Sequence, residues 1–408
     1  MEEGWGMSDR RATPFSSVAQ PFVRLFSEAR LYRNPDGAIH AVDAINAAAA
    51  WDAYVERLGS VELAARVGPP NPAACLPIGR IRVCPLPFYS GPRQLLTRLP
   101  RVLGAVRAAT SGTSLCLFRL PGTLSLIGAA WCRLQGRRYV VEVIGDPAGV
   151  LRSGVLGPVG SLLATACAGL MRWVVAGAAA GHYVTERTLQ ALYPLAHGAV
   201  EHSFAIVNLT DEDFTAGPRT DARPVRRLIA VGTHDQLYKG HDDLIRALAL
   251  LAARGLDLHL GLVGDGRHHD TLRQLARASG VEDRVTFHGR VSAREDLRRL
   301  LDEADLFCMP SRTEGLPRAL IEAMARGVPA IGTTVGGIPE LIEPRFCTRP
   351  SDPEALAELI ATFADGTVDV ALVSREVWRR AQQCTPSQQA ERISNWLGEI
   401  TRLARSDT

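Results

Sequence analysis

From Arg227 to Ala364 the chain alternates short, continuously apolar runs with stretches whose apolar residues recur at helical spacing. This alternation limits the possible folds more than any other feature. Strands are predicted at Arg227–Val231, Leu258–Val263, Val285–His288, Leu306–Met309 and Pro329–Gly332. Helices are predicted at Asp242–Ala253, Asp270–Ser279, Ala293–Ala304, Pro317–Ala325 and Glu354–Ala364. A strand that is apolar on both faces needs cover on both faces, so the pattern specifies an open parallel sheet between two helical layers.

The first half carries a looser form of the same rhythm. Strands are expected at Phe22–Phe26, Ile81–Leu86, Ser114–Phe118, Tyr139–Ile144 and His182–Thr185. Helices are expected at Ala41–Leu58, Gln94–Ala109 and Leu124–Leu134, with a loop holding Arg30, Arg33 and the turn Asn34-Pro35-Asp36-Gly37. Residues 208–224 are polar and carry Pro and Gly, as a boundary between domains does. The expected α/β architecture is therefore two Rossmann-like domains facing each other across a cleft, residues 1–212 and 213–385. A last amphipathic helix, Ser387–Leu403, lies in a segment 386–408 expected to pack back on the first domain.

Composition fits this frame: 408 residues, 46% hydrophobic and 22% charged, leave no room for extended disorder or fibrous architecture. A formal charge of +3 argues against a dedicated nucleic-acid binder. Of the 46 basic residues only Lys239 is a lysine, which raises the question of what an arginine could not do there. The eight cysteines form no C-x-x-C pair and read as small buried hydrophobes in a reducing compartment. The N-terminus, MEEGWGMSDRRATPF, lacks the apolar core of a signal peptide, so a cytoplasmic location is expected. The uncharged stretch Gly154–Met171 is short and glycine-rich for a bilayer span and reads as a buried helix.

In a parallel sheet, ligands sit beyond the carboxyl ends of the strands, so the strand-to-helix loops hold the candidate site. The first, Gly232-Thr233-His234-Asp235-Gln236-Leu237-Tyr238-Lys239-Gly240, brings a lysine to a helix start, where ammonium and helix dipole together suit a diphosphate. Gly264-Asp265-Gly266 fits a tight turn beside a nucleotide or a plain capped turn. His288-Gly289-Arg290-Val291 permits close approach of a flat base at Gly289. In the fourth loop Glu314 sits at a strand end, and Glu322 follows eight residues later on a largely apolar helix. A carboxylate on such a face needs a partner, which the vicinal diol of a ribose would supply; a capping acid followed by a solvated helix acid is the plainer reading of the same pair. The amides of Gly315 and Leu316 can face phosphate or sugar. The fifth loop, Thr333-Thr334-Val335-Gly336-Gly337-Ile338-Pro339-Glu340, is again glycine-rich.

The run EGLPRALIEAMARGVPAIGTTVGGIPELI, residues 314–342, resembles the retaining nucleotide-sugar glycosyltransferases of family 4, which have the GT-B fold. Their hallmark pair of glutamates is matched by Glu314 and Glu322. The preceding blocks occur in the same order: Val231-Gly232 with Lys239-Gly240, then LVGDG, DRVTFHG and ADLFCMPSRTEG. The likeness is strong over residues 226–345, and only the βα rhythm agrees over the first 200. It implies that Lys239 binds the donor diphosphate, Glu322 the ribose and Glu314 the donor sugar. Gly232, Thr233, Gly264, Gly289, Val291, Gly315 and Leu316 would line the nucleotide and sugar. Relatives often carry an arginine where this chain has Thr233, which puts more weight on Lys239. They also often carry a histidine after a central strand of the first domain; here Gly145-Asp146 stands there, making Asp146 a candidate polar contact.

The expected reaction is transfer of a glycosyl group from a nucleoside-diphosphate sugar, of the UDP type, to an acceptor hydroxyl with retention. Metal-independent chemistry without a cofactor is expected. Front-face attack and a covalent intermediate both remain open. Arg30, Arg33 and Arg119 are candidates for meeting an anionic acceptor. A lipid-linked or surface saccharide and a soluble small molecule are both compatible acceptors. A sugar-nucleotide-binding protein without turnover is a more distant reading, and the dehydrogenase fingerprint G-x-G-x-x-G is absent. The helix Gln94–Ala109 sets Arg98, Arg101 and Arg107 beside a leucine-rich face, so peripheral contact with an anionic membrane is a further expectation.

Overall fold

In the computed structural model, which describes residues 23–43, 46–152, 157–220 and 224–405, the chain builds two sheets. The first comprises β1 (Val23–Arg33), β2 (Ile39–Ala41), β3 (Val61–Gly68), β4 (Leu76–Pro77), β5 (Arg82–Pro87), β6 (Leu115–Leu120), β7 (Tyr139–Val143), β8 (Ala180–Tyr183) and β9 (Val200–Ser203). Its main body is parallel, in the order β5-β3-β1-β6-β7-β8-β9, and an antiparallel extension runs from β1 through β2 to β4. The helices of this half are α1 (Asp52–Leu58), α2 (Gly91–Ser111), α3 (Thr123–Leu134), α4 (Pro147–Val150), α5 (Gly157–Val175) and α6 (Thr188–Leu192).

The second sheet comprises β10 (Arg227–Val231), β11 (His259–Val263), β12 (Val285–Gly289), β13 (Leu306–Met309), β14 (Ala330–Thr333) and β15 (Cys347–Thr348). It is wholly parallel, in the order β12-β11-β10-β13-β14-β15. Its helices are α7 (His241–Ala253), α8 (His269–Ala278), α9 (Arg294–Glu303), α10 (Arg318–Ala325), α11 (Ile338–Leu341), α12 (Pro353–Ala364) and α13 (Val370–Ala381). A final helix, α14 (Pro386–Arg405), returns to the first sheet.

Period-2 alternation explains why the first sheet is covered twice. Phe26, Phe118 and Val141 point to a core shared with α2, α3 and α5. Their neighbours Leu25, Leu117 and Val140 point to the opposite core, closed by α1 and by Trp396, Leu397 and Ile400 of α14. The second sheet buries Leu260, Leu306, Phe307 and Ile331 in one continuous core.

Four local expectations need correcting. The opening strand does not stop at Phe26: it runs on to Arg33 and pairs with β2, so Arg30 and Arg33 lie on a strand rather than a loop (Phe22 lies outside the described residues). The helix expected over Ala41–Leu58 is reduced to a 3-10 turn at Ala48–Ala50 and α1, because Ala41 is held in β2 and Trp51 is buried with its indole N–H on the Asn46 carbonyl (residues 44–45 lie outside the described residues). Strand β3, VELAARVG, and helix α13 escaped notice; the alanines of β3 carry little strand propensity, and burial between β1 and β5 overrides it. Helix α5 is not a buried helix, since Leu163 and Leu170 are exposed.

Arg119 is also reassigned from acceptor contact to core. Its Nε donates to Glu142 Oε2 at 2.9 Å, Nη2 donates to the Tyr54 hydroxyl at 3.1 Å, and the guanidinium lies over the Trp51 ring. Glu142 is fully buried and also accepts from Tyr54 and from the Trp396 indole at 3.1 Å. The cluster ties β6 and β7 to α1 and α14. Arg119→Met should cost about 3–5 kcal/mol in urea unfolding, because it strands the Glu142 charge in the core.

Two histidines are buried neutral. Burial pushes His182, stacked on Phe204, down to about 4, with Glu142 opposing. Burial, with His234 and Lys239 adding to it, pushes His241 down to about 3. Each ring takes up a proton more readily in the unfolded chain, so acid favours unfolding. Stability should fall as pH drops from the ordinary value of 6.5 toward those values, by up to ~1.4 kcal/mol per pH unit for each ring. Urea midpoints across this range should show that fall, and His241→Asn should flatten it.

Candidate functional site

The strand order reverses at β10, with β11 on one side and β13 on the other, so the loops after β10 and β13 diverge from a switch point and leave a crevice between them. The first loop ends in a 3-10 turn at Leu237–Lys239, and Gly240 opens α7 with φ 73°. A side chain at Gly240 would lie 1.9 Å from the Pro310 carbonyl oxygen, so only glycine lets the two loops touch. The contact sets Lys239 against Glu314: Nζ donates to Oε1 at 2.6 Å. Ser311 Oγ donates to the same oxygen at 2.7 Å, and Thr333 Oγ1 holds the Ser311 carbonyl at 2.6 Å. The lysine and glutamate side chains are 20% and 9% exposed, so the pair is partly desolvated yet reachable from the crevice.

Arg312, which sequence reasoning passed over, locks this arrangement. Its backbone N–H donates to the Tyr238 carbonyl and its Nη1 to the Leu237 carbonyl, both at 2.7 Å. Its Nη2 donates to Asp242 at 2.8 Å and Asp243 at 2.6 Å on the first turn of α7, and its Nε to Ser351 Oγ at 2.9 Å. The legible signal was the pair of acids at the start of α7, which Arg246 of the same helix shares with Arg312.

Glu322 lies on α10, near Asp213, Arg294 and Arg298. Those two arginines pair with Asp213, at 3.2 and 3.3 Å. Burial pushes the Glu322 carboxyl above the usual carboxylate range, with Arg318 opposing. Among the described residues no hydrogen bond satisfies it. Gly232, Gly264 and Gly289 stand side by side at the ends of β10, β11 and β12, linked by Gly232 N–H to the Val263 carbonyl and Gly264 N–H to the Gly289 carbonyl, both at 2.9 Å. Thr233 Oγ1 donates to Asp235, and Val291 packs on the core of this half.

The other half meets the site through close contacts. A Cβ on Gly315 would lie 2.2 Å from the Ile144 carbonyl oxygen, so the Glu314 loop approaches the end of β7 directly. Leu316 packs against the cores of both halves. Asp146 stands at this junction, but its carboxylate caps α4, accepting from Ala148 N–H at 2.9 Å and Gly149 N–H at 2.8 Å, and takes the Tyr193 hydroxyl. It is thereby an anchor of the loop rather than a free contact. Arg30 and Arg33 make no hydrogen bond to the Lys239 and Glu314 loops; Arg33 donates to the Gly37 carbonyl at 3.2 Å. Glu340 binds the two halves together: its carboxylate accepts from Glu186 N–H at 2.6 Å, Arg187 N–H at 3.2 Å and Thr188 N–H at 2.7 Å, and from the Thr188 hydroxyl.

Residues 225–365 match a family model described as glycosyl transferases group 1. The protein CapJ of Staphylococcus aureus is 27% identical over 274 residues, 67% of this chain and 68% of that protein. A GDP-mannose-dependent monoacylated alpha-(1-6)-phosphatidylinositol monomannoside mannosyltransferase of Corynebacterium glutamicum is 34% identical over 207 residues, 46% of this chain and 53% of that enzyme. Anabaena HepE, solved in complex with UDP, superposes with a TM-score of 0.61 at 18% identity, covering 92% of this chain and 98% of its own. That likeness shows the fold, two facing α/β domains of the GT-B type.

Arg312→Met should release the 237–239 turn. The expected cost is about 1.5–3 kcal/mol of stability, from lost charge-assisted hydrogen bonds, seen as a lower urea midpoint.

Proposed function

We propose that this chain, of GT-B fold and with residues 225–365 matching the group 1 glycosyltransferase family model, transfers a sugar from a nucleoside-diphosphate sugar to an acceptor hydroxyl with retention. The observation that carries the reading is the pairing of Lys239 with Glu314 at the switch point, with a half-buried carboxylate, Glu322, that accepts no hydrogen bond from a described residue, on the helix that follows. The donor diphosphate displaces Glu314 from the ammonium and takes its charge. Glu322 receives the two ribose hydroxyls, which supply the donors it lacks. Glu314, still held by Ser311, turns to the sugar hydroxyls. The UDP complex of HepE supports a uridine donor, and the mannosyltransferase relative makes guanosine the base to test against it.

The leaving diphosphate is stabilised by Lys239 and by the amides at the start of α7 and after Glu314, without a metal. We place the acceptor on the same face of the sugar as the leaving group. The anomeric carbon–oxygen bond breaks with its electron pair going to the phosphate oxygen. The acceptor oxygen bonds to that carbon, and its proton passes to the departing phosphate. Asp146, whose carboxylate caps α4 and takes the Tyr193 hydroxyl, is not free to act as a nucleophile, which supports this route over a covalent one. The phosphatidylinositol mannoside of the relative supports a lipid-linked or surface saccharide as acceptor.

Release of nucleoside diphosphate from a panel of UDP- and GDP-sugars, with and without acceptors, tests the reading. Lys239→Ala should lower turnover about 100–1,000-fold, as loss of a charge stabiliser does. Glu322→Ala should raise the donor KM about tenfold or more. Near-normal kinetics in both variants would overturn the site.

A further inference from the structure

Helices α2, α3 and α5 carry Arg93, Arg98, Arg101, Arg107, Arg133 and Arg172 and no acidic residue. The two acids in the stretch between Glu62 and Glu186 both have internal partners. Glu142 is spoken for on the α1–α14 side of the sheet, and Asp146 caps α4. The opposite face of that sheet is covered by α2, α3 and α5, packed side by side in one core. Arg107 of α2 lies over Trp131 of α3, and Arg133 of α3 lies over Trp173 of α5, so guanidinium–ring contacts join the three helices.

The outer surface of this layer is apolar as well as cationic. Leu96 and Leu103, one heptad apart on α2, are 69% and 45% exposed. Leu134 closes α3 at 69% exposure. Along α5, Leu163, Leu170 and Trp173 point outward, and no charged residue lies between Gly157 and Met171. These six side chains are more than half of the large apolar residues exposed among those described. On α2 the stripe of Leu96, Pro100 and Leu103 is bracketed by Arg93 and Arg107.

We propose that the α2–α3–α5 face docks on an anionic lipid bilayer. Leucines and Trp173 enter the headgroup–acyl boundary, and the arginines meet lipid phosphates. Two other occupants fit less well. A second copy of the chain would bring the same uncompensated arginines against themselves, and a nucleic acid would leave the leucine stripes against a charged backbone. No described helix is long and apolar enough to cross a membrane, so the contact is peripheral. The inference stands apart from the donor site, because none of these side chains belongs to it.

Sedimentation of the full chain with sonicated vesicles tests it. Binding is expected to vesicles of equal parts phosphatidylcholine and phosphatidylglycerol, to weaken with added salt, and to be absent with phosphatidylcholine alone. Arg93→Glu with Arg101→Glu should weaken it at least about twentyfold, taking about fivefold per arginine removed from a charged surface. Leu96→Ser with Leu103→Ser keeps the charge and should also reduce binding, leaving a remainder that salt abolishes. Thermal melts and UDP binding by both variants should match the parent protein, which separates this face from folding and from the donor site. Equal binding to neutral vesicles, or undiminished binding by both double variants, would overturn the proposal.

Discussion

The ion pair between Lys239 and Glu314 is the point on which the rest of the site depends. It joins two loops from neighbouring strands that leave the sheet in opposite directions, and at 2.6 Å in a partly desolvated crevice it is stronger than a surface pair. Around it the chain removes alternatives. Gly240 lets the loops touch, Ser311 and Thr333 fix the glutamate from behind, and Arg312 pins the turn that carries the lysine. The result is a single compact cation facing the crevice. A guanidinium, planar and forked, would fill the same space differently, which gives a physical reason for one lysine among 46 basic residues.

The two halves are held in register by contacts that carry no chemistry themselves. Gly315 lies against the Ile144 carbonyl, and Glu340 gathers the amides of residues 186–188 across the junction. Helix α14 returns from the second half and closes the core of the first, where Trp396 donates to the buried Glu142. Arg119 belongs to that closure. An arginine at a strand end of a cleft invites a ligand-binding role, yet here its ligand is internal.

The second half was legible in the sequence because its periodicity and its loop chemistry agree: each apolar run is a strand, and each glycine-rich loop follows the carboxyl end of one. Glu314, Glu322 and Lys239 could be picked out since a charged residue at a strand end or on an apolar helix stands against its background. Arg312, Ser311 and the latch role of Glu340 were not legible, because each acts through a partner between 3 and 154 residues away. In the first half, burial overrides propensity. Strand β3 is rich in alanine, β1 runs on through a stretch that reads as a turn approach, and Trp51 breaks an alanine-rich segment that favours helix. The outer face of α2, α3 and α5 could be glimpsed in one helix from its sequence; only the packing of the three shows it as a surface.

The central claim is that Lys239 meets a diphosphate, and the direct measurement is equilibrium binding of UDP, UMP and uridine to the parent protein and to Lys239→Ala. The account predicts that the parent favours UDP over UMP by at least about tenfold, and that the variant loses that preference while holding uridine as before. An unchanged preference for UDP in Lys239→Ala would contradict it.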